Sequence, residues 1–286
     1  MTNPVKALLD SMGLRKHPKL RLVLKRAYCR LIDPFDRGRP LELDSGAVLR
    51  VPTYLATAAY SNYEVEALRA CREWLEAHPG AGMADIGCAL GIYSALGLHV
   101  SASTRVFAFD SDRFSLEATR GFCRFYDSRR LGLVHGFLTD QHASGMTLGE
   151  ALAATQSLLS TSPRRAEPTA VRYLCLDRPL PDEFIPRHSL DGLLLDAIPE
   201  GCPMLFKIDV EGAELIVLRG MAGLLLRNRP TVLLSVHPQF LPSFHQSAAD
   251  VAEFLRAHDY RWELLANDHE EHWWCVPNQG ARPVES

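Results

Sequence analysis

Met83-Ala84-Asp85-Ile86-Gly87-Cys88-Ala89-Leu90-Gly91 is a short apolar run that ends in a glycine turn, and Ile92 to Val100 follows it as a compact apolar helix. Strand, glycine turn and helix are the opening unit of a parallel α/β sheet. Reading outward, Arg105 to Asp110 places Val106, Phe107, Ala108 and Phe109 in one unbroken apolar run, which predicts a buried strand. Arg113 to Tyr126 is predicted as a second helix and Leu131 to Leu138 as a third strand. This alternation calls for a mostly parallel sheet with helices on both faces.

The pattern resumes downstream. Ser189 is placed to cap a helix through Leu190, Leu193 and Leu194. Met204 to Val210 and Thr231 to Val236 are predicted strands, with Gly212 to Arg227 an apolar helix between them. Ala248 to His258 is a further helix, and Tyr260 to Leu265 with His272 to Val276 form a closing antiparallel pair. Ordered structure is expected to return with Arg172 to Leu176. Residues 1–80 read as an N-terminal extension: a basic amphipathic helix over Leu22 to Leu31, a hairpin from Leu41 to Val51 turning at Ser45-Gly46, and a helix from Tyr63 to His78 capped by Ser61-Asn62. Residues 81–286 form the main domain, with a long loop at 139–171 that holds a short helix around Leu148 to Leu159 and is expected to act as a lid, the alternative being a plain linker.

Composition narrows the function classes. The net charge of -3 gives no basic excess of the kind nucleic-acid binding needs. The exception is local: Lys6, Arg15, Lys16, Lys19, Arg21, Lys25, Arg26 and Arg30 crowd the N-terminus with Asp10 as the only acid. That run offers a peripheral contact to an anionic surface, or is simply a solvated helix face. The seven cysteines are widely spaced and include no C-x-x-C pair, which argues against a disulfide framework and a zinc ribbon. Arg and Lys interrupt each early apolar run, and no stretch reaches the roughly 20 apolar residues of a membrane span, so a cytoplasmic protein is expected.

Four groups of residues carry chemistry. Gly87 and Gly91 stand in a G-x-x-x-G turn rather than the G-x-G-x-x-G of a dinucleotide fold, which suits a ligand without a pyrophosphate. Asp110, about 20 residues on at the end of the next strand, is placed to accept bonds from both hydroxyls of a ribose. Asp85 before the turn completes the expected cofactor set, and Asp112 is read as a helix cap. Asp209 and Glu211 alternate with apolar residues at a strand end and should project to one side, toward a cation or a hydroxyl substrate. Glu214 falls in the first turn of a helix, where an anion is favoured. His237 closes the next strand and should face the same edge, as a base able to work near neutral pH. The late cluster Asp268, His269, Glu270, Glu271 and His272 could join Asp209 and His237 around a divalent ion, but nothing in the sequence requires a metal. Trp273-Trp274 reads as core.

Together these motifs resemble the FkbM family of S-adenosylmethionine-dependent methyltransferases. Lys207-Ile208-Asp209-Val210-Glu211-Gly212-Ala213-Glu214, followed by Val217-Leu218-Arg219-Gly220, is similar to the family's hallmark. Asp85-Ile86-Gly87, Gly91, Tyr93-Ser94, Phe109-Asp110 and Ser189-Leu190-Asp191 match its other blocks, over about Glu64 to Val276. The chain departs at Ala89, where the family commonly has Asn, at Asp110-Ser111, where it has Glu-Pro, and near Ser235, where it has Glu. The resemblance implies a Rossmann-like class I methyltransferase fold: a mostly parallel seven-stranded sheet with an antiparallel last strand. It implies S-adenosylmethionine as cofactor and O-methylation of a sugar, glycolipid or small metabolite. His237 is then the expected base, with Asp209 orienting it or binding the acceptor and Glu211 beside it. A non-catalytic interaction protein on the same fold and an NAD-dependent oxidoreductase are the alternatives.

Overall fold

The computed structural model describes residues 18–56, 62–161, 185–268 and 270–278, with side chains from Val23 onward. Helix α1 (Pro18–Ile32) leads into the hairpin β1 (Arg39–Glu42) and β2 (Val48–Val51), then α2 (Val65–Ala77). The main domain runs β3 (Gly82–Ile86), α3 (Ile92–Val100), β4 (Arg105–Asp110), α4 (Arg113–Cys123), β5 (Leu131–His135), β6 (Phe137–Leu138), α5 (Leu148–Thr161), β7 (Arg187–His188), α6 (Leu190–Leu194), β8 (Met204–Ile208), α7 (Glu214–Arg219), α8 (Ala222–Arg227), β9 (Thr231–Val236), α9 (Ala248–Ala257), β10 (Tyr260–Asn267) and β11 (Glu271–Pro277).

Seven strands form one sheet in the order β10-β11-β9-β8-β3-β4-β5. The five from β9 to β5 pair in parallel, and β11 runs antiparallel to both its neighbours. This is the mostly parallel seven-stranded sheet with an antiparallel last strand that the resemblance implies. The chain builds outward from β3 through β4 to β5, then returns to the other side of β3 for β8 and β9. The direction of building therefore reverses between β3 and β8, and such a switch point leaves a crevice beyond the carboxyl ends of the strands.

Alternation along each strand sorts the core into two layers. Ala84, Ile86, Phe206, Ile208, Val232 and Leu234 face a cluster with Leu190, Leu215, Leu218, Leu224, Val251 and Leu255. Met83, Leu205 and Leu233 face the other way, onto Leu96, Phe122, Leu68 and Leu75 and onto Leu49 and Val51 of the hairpin. By the same alternation Asp85 and Lys207, which are register partners across β3 and β8, belong to this second face. Trp273 is buried and stacks on Trp262 at 5.4 Å, so it is a core residue as expected.

Several elements differ from the sequence reading. The hairpin turns at the expected place, with Leu41 opposite Leu49. Helix α2, however, is preceded by Glu64 in the left-handed region (φ 35) with no side-chain cap, so Asn62 plays no capping part; Ser61 lies outside the described residues. The predicted strand to Leu138 divides at Gly136, whose N–H donates to the Asp110 carbonyl at 3.0 Å while β6 leaves the sheet to pair with β7. The apolar segment after Gly212 is two helices. Gly220 lies so close to the Thr139 carbonyl that a Cβ would strike it, and its own carbonyl accepts from Asp191 N at 2.8 Å. The Asp191 carboxylate in turn accepts from the N–H groups of Gly223 (2.8 Å) and Leu224 (2.9 Å), capping α8 from another element. Ser189 caps α6 as predicted, through Gly192 N at 3.0 Å. Within 139–171, the short helix expected around Leu148 to Leu159 is present as α5; residues 162–171 and the ordered stretch expected over Arg172 to Leu176 lie outside the described residues. No described helix is long and apolar enough to cross a membrane.

Candidate active site

The glycine turn sits at the switch point because its backbone can approach where no side chain could. Gly87 has φ +73, and a Cβ there would fall on the carbonyl oxygen of Asp209 at the end of β8. Gly91 has φ +81 and would press a Cβ to 2.8 Å from Thr119 on α4. Between them Ala89 holds φ 47, a left-handed conformation that costs an L-residue about 1–2 kcal/mol. Its N–H donates to Asp110 Oδ2 at 3.1 Å, and Asp112 N donates to Oδ1 at 2.8 Å. The half-buried Asp110 carboxylate thus stands at the lip of the turn with acceptor capacity on both oxygens. Burial pushes its pKa up to about 6, against the N–H groups of Asp112 and Ala89 that pull it down. Asp112 caps α4 through Phe114 N at 3.0 Å, as read from the sequence.

Asp85 lies beneath the turn, 1% exposed. Its Oδ2 accepts from Ser94 N (3.0 Å) and Ser94 Oγ (2.6 Å), and its Oδ1 has no hydrogen-bond partner. Burial raises its pKa, while Lys207 and Ser94 act in the opposite sense. From there Asp85 can fix α3 under the turn, but it presents no surface of its own.

On the β8 side, four ionisable groups converge. His237 is buried at the end of β9, with Nδ1 2.7 Å from Glu214 Oε1. Its Nε2 lies 3.6 Å from Asp209 Oδ1 and 3.5 Å from Glu211 Oε2. The expected trio of His237, Asp209 and Glu211 is therefore assembled, though by a different route. The strand stops at Ile208, and Glu211 (φ 51) and Gly212 (φ 102) turn the chain back so that both acids meet the imidazole. Glu214 is fully buried in the first turn of α7, where its Oε1 also accepts from Gly212 N at 2.9 Å. Burial alone would lower the His237 pKa. The hydrogen bond to Glu214 and the charges of Asp209, Glu214 and Glu211 outweigh it and hold the pKa above its ordinary value. A donated Nδ1–H to Glu214 leaves the Nε2 lone pair free, which is the tautomer of a base. Phe240, 43% exposed, stacks on the imidazole at 5.9 Å. A Cβ on Gly212 would touch the Phe240 backbone at 2.8 Å, so the two turns are seated on each other.

Lys207 links the two halves. It is 3% exposed, its Nζ is 2.9 Å from Asp209 Oδ2, and it lies 5.0 Å from the centre of the Tyr93 ring. Burial works against its charge, but Asp209, Asp85 and Glu64 raise its pKa on balance. The sequence reading did not single it out. The signal was present, since one cation within Met-Leu-Phe-Lys-Ile, a strand buried at every residue, must find an anion. Tyr93 in turn donates to Glu64 Oε2 at 2.6 Å. Of the late cluster, Glu270 and His272 lie with Glu64, and their ligand atoms fall within 4.8 Å of one another, as do those of Asp209, Glu211 and His237. Burial and the charges of Asp209 and Glu64 push Glu270 up to about 7. Asp268 lies 3.3 Å from His272 Nε2, Glu271 accepts from the Trp273 indole at 2.9 Å, and His269 lies outside the described residues.

Residues 102–262, just over half of the chain, match the Methyltransferase FkbM domain family. No curated protein matches the sequence. Among solved structures, the precorrin-6y C5,15-methyltransferase from Geobacter metallireducens GS-15 is similar over 77% of this chain and 93% of its own, at 13% identity and a TM-score of 0.44. Methyltransferase FkbM from Methylobacillus flagellatus KT is similar over 78% of this chain at 15% identity and a TM-score of 0.44. This chain spans 54% of the length of that protein.

Proposed function

This chain belongs to the FkbM domain family of methyltransferases, and from that premise we propose that it transfers a methyl group from S-adenosylmethionine to a hydroxyl oxygen of a sugar, glycolipid or small metabolite. The observation that carries the reading is His237: a buried imidazole at the carboxyl edge of the sheet, with one nitrogen held by Glu214 and the other turned toward Asp209 and Glu211.

The residues at the turn fit the cofactor. Asp110 is an acceptor-only carboxylate with room for two hydroxyl donors, the Gly87–Gly91 turn exposes backbone rather than side chain, and no pyrophosphate loop is present. Asp110 would hold the ribose, with Gly87 and Gly91 shaping the wall beside it and Asp85 fixing that wall from beneath. When bound, the cofactor supplies a methyl carbon already activated by its sulfonium.

The protein's remaining tasks are placement and proton removal. Asp209 and Glu211 accept hydrogen bonds from a polyol, and Glu211, with a side chain 72% exposed, reaches the solvent side of the site. Phe240 offers an apolar face for the ring of a sugar. His237 Nε2 takes the hydroxyl proton as the oxygen loses electron density to the new bond, and the flanking carboxylates stabilise the imidazolium that results. General-base removal is worth about 10²–10⁴-fold.

The test is methyl transfer from S-adenosylmethionine carrying a labelled methyl to a panel of polyol acceptors, with NMR assignment of the methyl-bearing atom. An O-methyl product lost in His237→Ala supports the reading. A C- or N-methyl product, or His237→Ala turnover within about threefold of wild type, far short of the effect of a base, overturns it.

A further inference from the structure

Beside the His237 centre lies a second constellation that methyl transfer does not use. Glu64 precedes α2, and Glu270 and His272 stand at the start of β11, so segments from opposite ends of the chain meet there. Their ligand atoms lie within 4.8 Å of one another. All three are enclosed: Glu64 is 8% exposed, the Glu270 side chain 12%, and His272 not at all. The His272 ring is held from one side only. Its Nδ1 is 3.1 Å from Ser235 Oγ, whereas Nε2 makes no hydrogen bond although it is fully buried. Nε2 instead faces carboxylates, with Asp268 Oδ1 at 3.3 Å and Glu270 Oε1 at 3.7 Å.

We propose that Glu64, Glu270 and His272 form a binding site for one divalent metal ion of the manganese-to-zinc class. Enclosed carboxylates that gather around a buried nitrogen need a cation, because like charges in a pocket repel and cannot be screened by water. Lys207 reaches this region, but its ammonium is bonded to Asp209. A mixed set of carboxylate oxygens and an imidazole suits manganese or zinc better than magnesium, which prefers oxygen and water throughout. With bonds of about 2.0–2.2 Å, ligand atoms around such an ion stand roughly 3–3.5 Å apart, so the three groups, within 4.8 Å of one another here, draw together as the ion binds. Ser235 supplies the outer contact: a hydroxyl accepting from Nδ1–H fixes the tautomer whose Nε2 lone pair faces the carboxylates. Tyr93, donating to Glu64 Oε2, orients the remaining carboxylate in the same way. The site stands apart from the question of which atom receives the methyl group.

The full chain, stripped with a chelator, is titrated with Mn²⁺ by electron paramagnetic resonance and with Zn²⁺ by calorimetry. One ion per chain is expected, with affinity reduced at least tenfold in Glu64→Gln, Glu270→Gln and His272→Gln, and by about tenfold in Ser235→Ala. Glu211→Gln, in the other cluster, leaves it unchanged. The Gln variants at Glu64 and Glu270 keep volume and shape, so they carry the test if His272→Gln does not fold. S-adenosylmethionine affinity and melting temperature, measured on each variant, separate loss of the ion from loss of the fold and from failure of the methyltransferase reading. Absence of Mn²⁺ and Zn²⁺ binding by the stripped wild type overturns the proposal. So does binding that Glu211→Gln abolishes and Glu64→Gln and Glu270→Gln leave intact.

Discussion

Glu214→Gln is the sharpest probe of the proposed base. The substitution keeps the volume of the side chain and an oxygen for Gly212 N and His237 Nδ1, removes the charge, and puts an amide nitrogen in place of Oε2. Three anions hold the imidazolium: Glu214 at 2.7 Å, Glu211 at 3.5 Å and Asp209 at 3.6 Å. An opposite charge at such range favours the charged imidazolium, so loss of the nearest should lower the pKa of His237. Catalysis needs neutral His237, so kcat/KM rises with pH through its pKa, and the acid limb should move to lower pH in the variant. Stability follows the same sign. A folded-state pKa raised above the unfolded value of about 6.5 stabilises the protein below that pH, and the contribution is lost as pH rises through the folded value. The thermal deficit of the variant should therefore be larger at acid than at alkaline pH. A second deficit is independent of pH: the new amide nitrogen occupies the place of Oε2, which has no hydrogen-bond partner, at a cost of about 1–3 kcal/mol. The assay is initial-rate kinetics across the pH range with any accepted substrate. A limb that stays at the wild-type position while kcat falls would mean that Glu214 only supports the fold and that His237 is not the group titrating.

Three further outcomes are expected. Asp110→Asn should weaken S-adenosylmethionine binding tenfold or more in calorimetry, because hydrogen bonds to a charged acceptor contribute about 1.5–3 kcal/mol each. Wild-type affinity should also decline below pH about 6, and the variant should lose that dependence. Gly87→Ala should destabilise the fold by about 2–4 kcal/mol in urea melts, since a Cβ meets the Asp209 carbonyl and φ is positive. Ala89→Asn should raise stability by about 0.5–1 kcal/mol, because Asn tolerates the left-handed conformation that Ala89 holds at φ 47.

The sheet was legible because strands buried on both faces leave unbroken apolar runs, as in Val106 to Phe109, and each run ended where a ligand edge had to be. Asp110 and His237 could be placed by that rule alone. What escaped were contacts made by folding over distance. Glu214 reads as a helix-terminus anion, and nothing local reveals a bond to a histidine 23 residues on. Glu64 and Tyr93 meet across 29 residues. The split between α7 and α8 was hidden for the same reason: its cause is Asp191, on another helix, offering its carboxylate to Gly223 and Leu224. Asp209 and Glu211 were grouped correctly for an incorrect reason, since a turn and not strand alternation brings them together.

The order of the sheet bears on how this protein could be cut or recombined. The stretch that matches the family, residues 102–262, contains neither β3, which lies between β8 and β4, nor β11, which is wedged between β9 and β10. A fragment with those ends would join β4 to β8 across a missing strand and would leave β10 without its partner. It would also lack the glycine turn, Asp85 and His272. Chimeras with relatives should therefore exchange whole crossovers, keeping each central strand with the flanking helices that seal it. The hairpin must travel with them, because Leu49 and Val51 close the face that Met83 and Leu96 would otherwise open to water.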